Sequence, residues 1–265
     1  FKQKTAYEIM PSLVGSEMCI RDSPWAWRSL STWALILASD CHTSNHYSTP
    51  MNYDEHSARL ITITPHAERN IVYMARVSNP KNQKNLDTAP RLIRYCMKHG
   101  HWSIFEMATM QVEINTTRAI AAQVLRHRTA SFQEFSQRYS SVFELPSISL
   151  PRLRTQDSKN KQASHDDLDA ETREHLEKEI ETLYANAQDL YNYALSRGVA
   201  KECIRSILPL GTPSRLYMSM SIRTAVHFCQ VRCDPATQLE HRMIADDIKA
   251  IIEQELPNVY EAAFC

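Results

Sequence analysis

Four glycines, Gly15, Gly100, Gly198 and Gly211, are spread so thinly through 265 residues that neither a G-x-G-x-x-G fingerprint nor a Walker A loop can be written. Both of those turns bring backbone N–H groups against phosphate, and they need residues without a Cβ at the point of approach. A nucleotide bound by this chain therefore cannot rest on a Rossmann or phosphate-loop turn. Side chains must meet its phosphate.

The 30 Lys and Arg residues are balanced by 30 Asp and Glu. No global field draws the chain to a polynucleotide or an anionic membrane, so an anion site has to be local. With 43% hydrophobic residues the chain can bury one sizeable core. The seven cysteines form no C-x-x-C pair. Cys229 and Cys233 are four apart but have no second pair or histidine set, so all read as reduced thiols. His99-x-His101 resembles a chelate, yet Gly100 interrupts it and no third ligand is spaced nearby, so no metal is expected.

Residues 1–50 differ from the rest. They start at Phe1, carry Trp25, Trp27 and Trp33, and show no period. The apolar run Ala34 to Ala38 is too short to span a membrane, and no signal-peptide layout is present, which suggests a soluble cytoplasmic protein. The expected organisation is a non-family leader over 1–50, in which SLVGSEMCIRDS reads as translated vector or adapter sequence, and one domain over 51–265 beginning at Met51.

From Met51 the patterns are regular. Arg59 to Thr64 alternates as a strand and Ala67 to Val77 has helical spacing. Thr88 is placed to cap a helix with Pro90 in its first turn and Gly100 as its stop. Ala108 to Ile114 alternates as a half-buried strand. Thr116 or Thr117 caps a helix whose Ile120, Ala121, Val124 and Leu125 lead into Arg126. A long polar loop follows Tyr139, containing Pro146, Pro151 and KNKQ. Leu176, Ile180, Leu183, Ala187, Leu190, Tyr191 and Ala194 mark a long amphipathic helix ending at Gly198, and further helices are expected over Lys201–Leu208, Ser214–Val231 and Pro235–Glu255. Strands before a helix-rich second half give an α+β class, with a mixed or antiparallel sheet and long helices.

The chemistry concentrates in RHRTASFQEFSQRYS, Arg126 to Ser140, which sets three guanidiniums against one carboxylate. Guanidiniums bind phosphate in bidentate fashion and also donate to planar carbonyls, so a nucleotide monophosphate suits the segment. An isolated R-x-R is ordinarily a solvated helix end paired with a nearby acid. Here the apolar stripe before Arg126 directs the helix end into the fold, and Arg205, Arg215, Arg223 and Arg232 recur amid apolar residues, where buried arginines need anionic partners.

The segment resembles the signature of the flavin-dependent thymidylate synthases, an R-H-R followed after seven residues by S-x-R-Y. ARVSNP (Ala75 to Pro80), KHGHWSIFE (Lys98 to Glu106), AAQVLRHR (Ala121 to Arg128) and the Arg205 to Arg232 region are similar to other segments of that family, in its order. Gln133, Ser103, Ser221 and His227 depart from its commonest residues. The resemblance implies a non-Rossmann flavin fold, in agreement with the glycine count. It implies that dUMP is contacted by Gln123, Arg126, Glu134, Ser136, Arg138, Arg205 and Arg232, with Arg126, Ser136, Arg138 and Arg232 nearest the chemistry. FAD would draw on Ser78, His101, Ser103, Glu106, Arg126, His127, Arg128, Glu134, Arg223 and His227.

The implied reaction is reductive methylation of dUMP to dTMP. Methylenetetrahydrofolate gives the carbon, and FAD recharged by NADPH gives the hydride. No Pro-Cys-His nucleophile motif is present, and Ser136 has no evident base, so the residues are expected to position and polarise. The resemblance also implies a homotetramer with shared sites. The rival reading, a nucleic-acid-binding module, finds no extended basic track.

Overall fold

A computed structural model describes residues 56–146 and 150–265. The expected leader over 1–50 and the start at Met51 lie outside the described residues. In chain order the elements are β1 (Ser57–Ile63), α1 (Ala67–Ala75), α2 (Ala89–Lys98), β2 (Thr109–Thr117), α3 (Arg118–Val124), β3 (Ser131–Glu134), β4 (Thr155–Gln156), β5 (Ser164–His165), α4 (Ala170–Ser196), α5 (Lys201–Ile204), β6 (Pro213–Ser221), α6 (Ile222–Arg232), α7 (Leu239–Glu255) and α8 (Pro257–Phe264).

β1, β2, β6 and β3 make one antiparallel sheet in the order β1-β2-β6-β3. Leu60 faces Val112, while Met110, Val112 and Ile114 face Met220, Met218 and Leu216, so one face is continuously apolar. Helices α6 and α7 cover it, with Phe228, Ile244, Ile248 and Ile252 buried against the strands. Each such side chain contributes roughly 1.5–3 kcal/mol on burial. The class is α+β, and the sheet is antiparallel rather than mixed.

The main correction concerns Ser214–Val231, expected as one helix. Pro213–Ser221 is a strand at the centre of the sheet, and the helix begins only at Ile222. Ser214, Leu216, Met218 and Met220 are buried at a period of two. Leu and Met are good helix formers, and the helical spacing of α6 runs on without a break, which hid the alternation. Pairing on both sides, to β2 and β3, decides the outcome.

Smaller departures have local causes. Thr88 stands at the N-cap of α2 but does not cap it, because its hydroxyl accepts from Arg76 Nη2 at 2.7 Å. The helix expected from Pro235 starts at Leu239, since the Asp234 side chain and carbonyl close a turn through Ala236 and Thr237. Pro257 then ends α7 and opens α8. The long loop after Tyr139 is tied down: Arg154 grips Glu240 of α7 with two bonds of 2.9 and 3.0 Å. Burial would raise the Glu240 pKa, but the Arg154 guanidinium outweighs it and holds the carboxyl below its usual range.

β2 is not half-buried. Its polar face carries Glu113, 2% exposed, and Asn115, 6% exposed. Glu113 accepts from Arg59 Nε and the Tyr217 hydroxyl, both at 2.9 Å, and Arg215 Nε donates to Asn115 at 2.8 Å. The stripe on α4 is likewise not the expected buried one. Within the described chain only Tyr191 and Ala194 are buried there, whereas Leu183 and Leu190 are more than half exposed.

Gly211 is needed for space. A Cβ there would lie 1.8 Å from the hydroxyl of Tyr184, which lines a cavity of about 410 Å³ with Phe143, Gln188 and Leu208. Gly211→Ala is expected to displace that ring and destabilise the protein by about 1–3 kcal/mol, read as a lowered melting temperature. Gly211→Ala combined with Tyr184→Leu should recover most of the loss.

Candidate active site

Burial of Ile120, Ala121 and Val124 seats α3 in the core. Arg126, His127 and Arg128 are delivered just beyond its end, as the stripe implied. The chain then enters β3, a four-residue edge strand paired to β6 that sequence reading missed. β3 sets Glu134 opposite Leu216 and is followed by a tight turn in which the Ser136 carbonyl accepts from the amides of Tyr139 and Ser140, each at 3.0 Å.

The carboxylate of Glu134 is not shared with Arg126 or Arg128. Arg118 Nη1 and the Ser214 hydroxyl both donate to it. Arg118, the first residue of α3, was not singled out from sequence. Its engagement leaves Arg126 and Arg128 exposed and without a side-chain partner among the described residues. Arg138 reaches Glu202 at 3.0 Å, but both side chains are more than half exposed, so the pair is weak. Lys201 Nζ holds the Tyr139 carbonyl at 2.8 Å, and Gln123 donates to Gln238 at 2.7 Å.

The second arginine set separates by partner. Arg215 bonds Asn115 and lies 4.0 Å from Glu113, and Arg223 pairs with Glu106 at 3.0 Å. Arg205 has no side-chain partner among the described residues, and Arg232 Nε is buried with none. Protein groups thus satisfy two of these arginines. For the other two, Arg205 and Arg232 Nε, no side-chain acceptor stands among the described residues.

α6 joins the two sets. Arg223 and His227 are one turn apart on it, with Glu106 beside the first and the His127 ring 5.6 Å from the second. His127 also meets Phe228 edge-on at 5.2 Å, and its Nε2 is buried without a partner. Burial, then the charges of His227 and Arg232, lower its pKa against the opposing Thr224 carbonyl. His101 and Ser103 are exposed on the short turn around Trp102–Glu106, which packs on both α6 and α1, and Ser78 is exposed just after α1. Ser221, one of the departing positions, caps α6 by accepting from the Thr224 amide at 3.2 Å. Gln133 is exposed on β3.

His241 was also missed. It is 1% exposed, and neither ring nitrogen has a partner. Burial, followed by the charges of Arg232 and His127, pushes its pKa down to about 4. A signal for it existed: His241 stands on the same helical stripe as Ile244, Ile248 and Ile252.

Fold and site define an α+β protein that carries guanidinium, imidazole and hydroxyl groups and no glycine-rich turn, a donor set of the kind that suits phosphates and carbonyls. Residues 59–258 match the model of the thymidylate synthase complementing protein family, and the chain belongs to that family. It is 48% identical over 213 residues to a probable flavin-dependent thymidylate synthase of Paramecium bursaria Chlorella virus 1, covering 78% of this chain and 98% of that one. It is 49% identical over 192 residues to the flavin-dependent thymidylate synthase of a Synechocystis strain, covering 72% and 87%. The crystal structure of the UMP/dUMP methylase PolB from Streptomyces cacaoi, bound with 5-Br dUMP, superposes with a TM-score of 0.69 at 24% identity, over 79% of this chain and 94% of that one. That likeness concerns the fold.

Proposed function

We propose that the chain is a flavin-dependent thymidylate synthase that methylates dUMP to dTMP. The observation that carries this reading is the set of cationic side chains left without protein partners, Arg126, Arg128, Arg205 and Arg232 Nε, in a family whose named relatives are such enzymes. Gln123, Arg126, Ser136, Arg138, Arg205 and Arg232 receive the nucleotide. Four guanidiniums offset its phosphate and polarise its pyrimidine carbonyls, with each charge-assisted bond worth roughly 1.5–3 kcal/mol. Glu134, already engaged by Arg118 and Ser214, fixes the wall of the site and does not act as a base for Ser136. Ser136 is a ligand to substrate.

The α6 side suits FAD, which carries phosphates and ring carbonyls. Arg223, His227, His127, Arg128, His101, Ser103, Ser78 and Glu106 offer donors there, and the orphaned Nε2 of His127 is a polar atom still lacking a partner. When bound, FAD reduced by NADPH supplies the reducing equivalents, and methylenetetrahydrofolate supplies the carbon. A cytoplasmic homotetramer completes the reading. The exposed Leu183, Leu190 and Tyr193 of α4 support the assembly; among the described residues no helix is long and apolar enough to cross a membrane.

Purified protein should show an oxidised-flavin spectrum that dUMP perturbs, and light scattering should give four chains. A colourless protein that cannot be reconstituted with FAD, but that shifts on nucleic acid, would overturn the proposal.

A further inference from the structure

A chain of hydrogen bonds runs from the long loop after Tyr139 to the helix that leads into the arginine segment. Arg154 grips Glu240 with two bonds of 2.9 and 3.0 Å, and its Nε donates to Ser164 across the β4–β5 hairpin at 2.9 Å. Glu240 accepts from Gln238 Nε2 at 3.0 Å, and Gln238 Oε1 accepts from Gln123 Nε2 at 2.7 Å. The direction of the chain is dictated from one end. With the guanidinium beside it Glu240 stays ionised, and an ionised carboxylate only accepts. Gln238 must therefore turn its nitrogen to Glu240 and its oxygen to Gln123, which answers with its own nitrogen. The Oε1 of Gln123 is left as an acceptor with no partner among the described residues. Gln123 lies three residues before Arg126, whose amide donates to the Gln123 carbonyl at 3.2 Å. The unused acceptor thus stands one helical turn from a guanidinium assigned to dUMP.

We infer that Gln238 and Glu240 are positioning residues that hold the amide of Gln123 with its oxygen toward the nucleotide, so that it takes a hydrogen-bond donor of the substrate. The inference rests on the reading of Gln123 as a dUMP ligand. The base and sugar of dUMP offer such a donor at the uracil N3–H and at the 3′-hydroxyl. A glutamine amide free to turn over offers N–H as readily as C=O, and so accommodates a nucleotide with an acceptor in the same place. The fixed amide cannot, and a site built around one hydrogen bond rejects the analogue that lacks it. The Arg154–Glu240 pair has a matching rationale. Its side chains are 13% and 9% exposed, and a pair so buried gains little stability over an apolar one. What it supplies here is an acceptor that does not switch.

The test replaces Gln238 by methionine. Gln238 is exposed and its side chain makes no capping bond to α7, so Gln238→Met should fold and load FAD with the ion pair intact. Calorimetry on the FAD-loaded protein compares dUMP with dCMP, whose N3 is an acceptor, and with 2′,3′-dideoxy-UMP, which lacks the sugar hydroxyl. Preference for dUMP over the analogue without the donor that Gln123 reads should fall roughly tenfold in Gln238→Met. A fall against dCMP assigns that donor to the base, and a fall against the dideoxynucleotide assigns it to the sugar. In Gln123→Met the same preference should already be lost, and adding Gln238→Met should change it no further. Unchanged preference over both analogues in Gln238→Met, or a further fall in the double variant, would overturn the inference. Wild-type protein that binds no dUMP would contradict the proposed function itself, whereas dUMP bound with unchanged preferences overturns the positioning role alone.

Discussion

Glu113→Ala is expected to destabilise the protein by about 1.5–3 kcal/mol, the loss of hydrogen bonds to a buried carboxylate. Glu113 lies in the middle of β2 at 2% exposure and accepts bonds from Arg59, Tyr217 and, at 3.3 Å, Asn115. Removing it takes the acceptor from the exposed Tyr217 hydroxyl and the counter-charge from Arg215, 4.0 Å away, which keeps its bond to Asn115. A loss of this size is a sizeable share of a typical domain's stability and should lower the melting temperature by roughly 3–12 °C. Glu113→Gln keeps an acceptor for Tyr217 and should lose less, which separates lost charge from lost hydrogen bonding.

The same residue shapes the acid limb. Burial raises its pKa, but bonds from Arg59 and Tyr217 and the charge of Arg215 outweigh this and hold it below the usual carboxylate range. Its contribution is therefore fully present above the unfolded-state pKa and is lost as pH falls through the lower folded value. His241 acts at higher pH. Because its folded pKa of about 4 lies below the unfolded value of about 6.5, the unfolded chain binds a proton in that interval that the folded chain does not. Stability should fall by about 3 kcal/mol as pH drops from 6.5 to 4. Denaturant midpoints against pH should flatten over that interval in His241→Leu and only below it in Glu113→Gln.

Much of this was legible in the chain, for reasons that can be located. The stripe of α3 is a local signal and placed Arg126–Arg128 at a helix end, although Thr117, which stands at its N-cap, makes no capping bond from its side chain. β6 was not legible, because its Met and Leu residues suit either helix or strand and only the two neighbouring strands choose between them. The exposed leucines on α4 show the opposite failure: periodicity marks a face that wants cover and says nothing of where the cover comes from. In the site, the residue types were evident but the pairing was not. Whether Glu134 neutralises Arg126 or Arg118 depends on β6 bringing Ser214 alongside β3, and His241 carries no local signal beyond its place on an apolar stripe.

The central claim, that these side chains hold dUMP for methylation, is tested most directly through Arg138. Its side chain is 65% exposed and, among the described residues, pairs with Glu202, itself 54% exposed, so Arg138→Ala should leave folding and flavin content unchanged. Tritium release from 5-labelled dUMP, with FAD, NADPH and methylenetetrahydrofolate present, should be clear in the wild type. Arg138→Ala should lower it by roughly 100-fold or more, the loss expected from two charge-assisted bonds. Equal release from the two proteins would contradict the account.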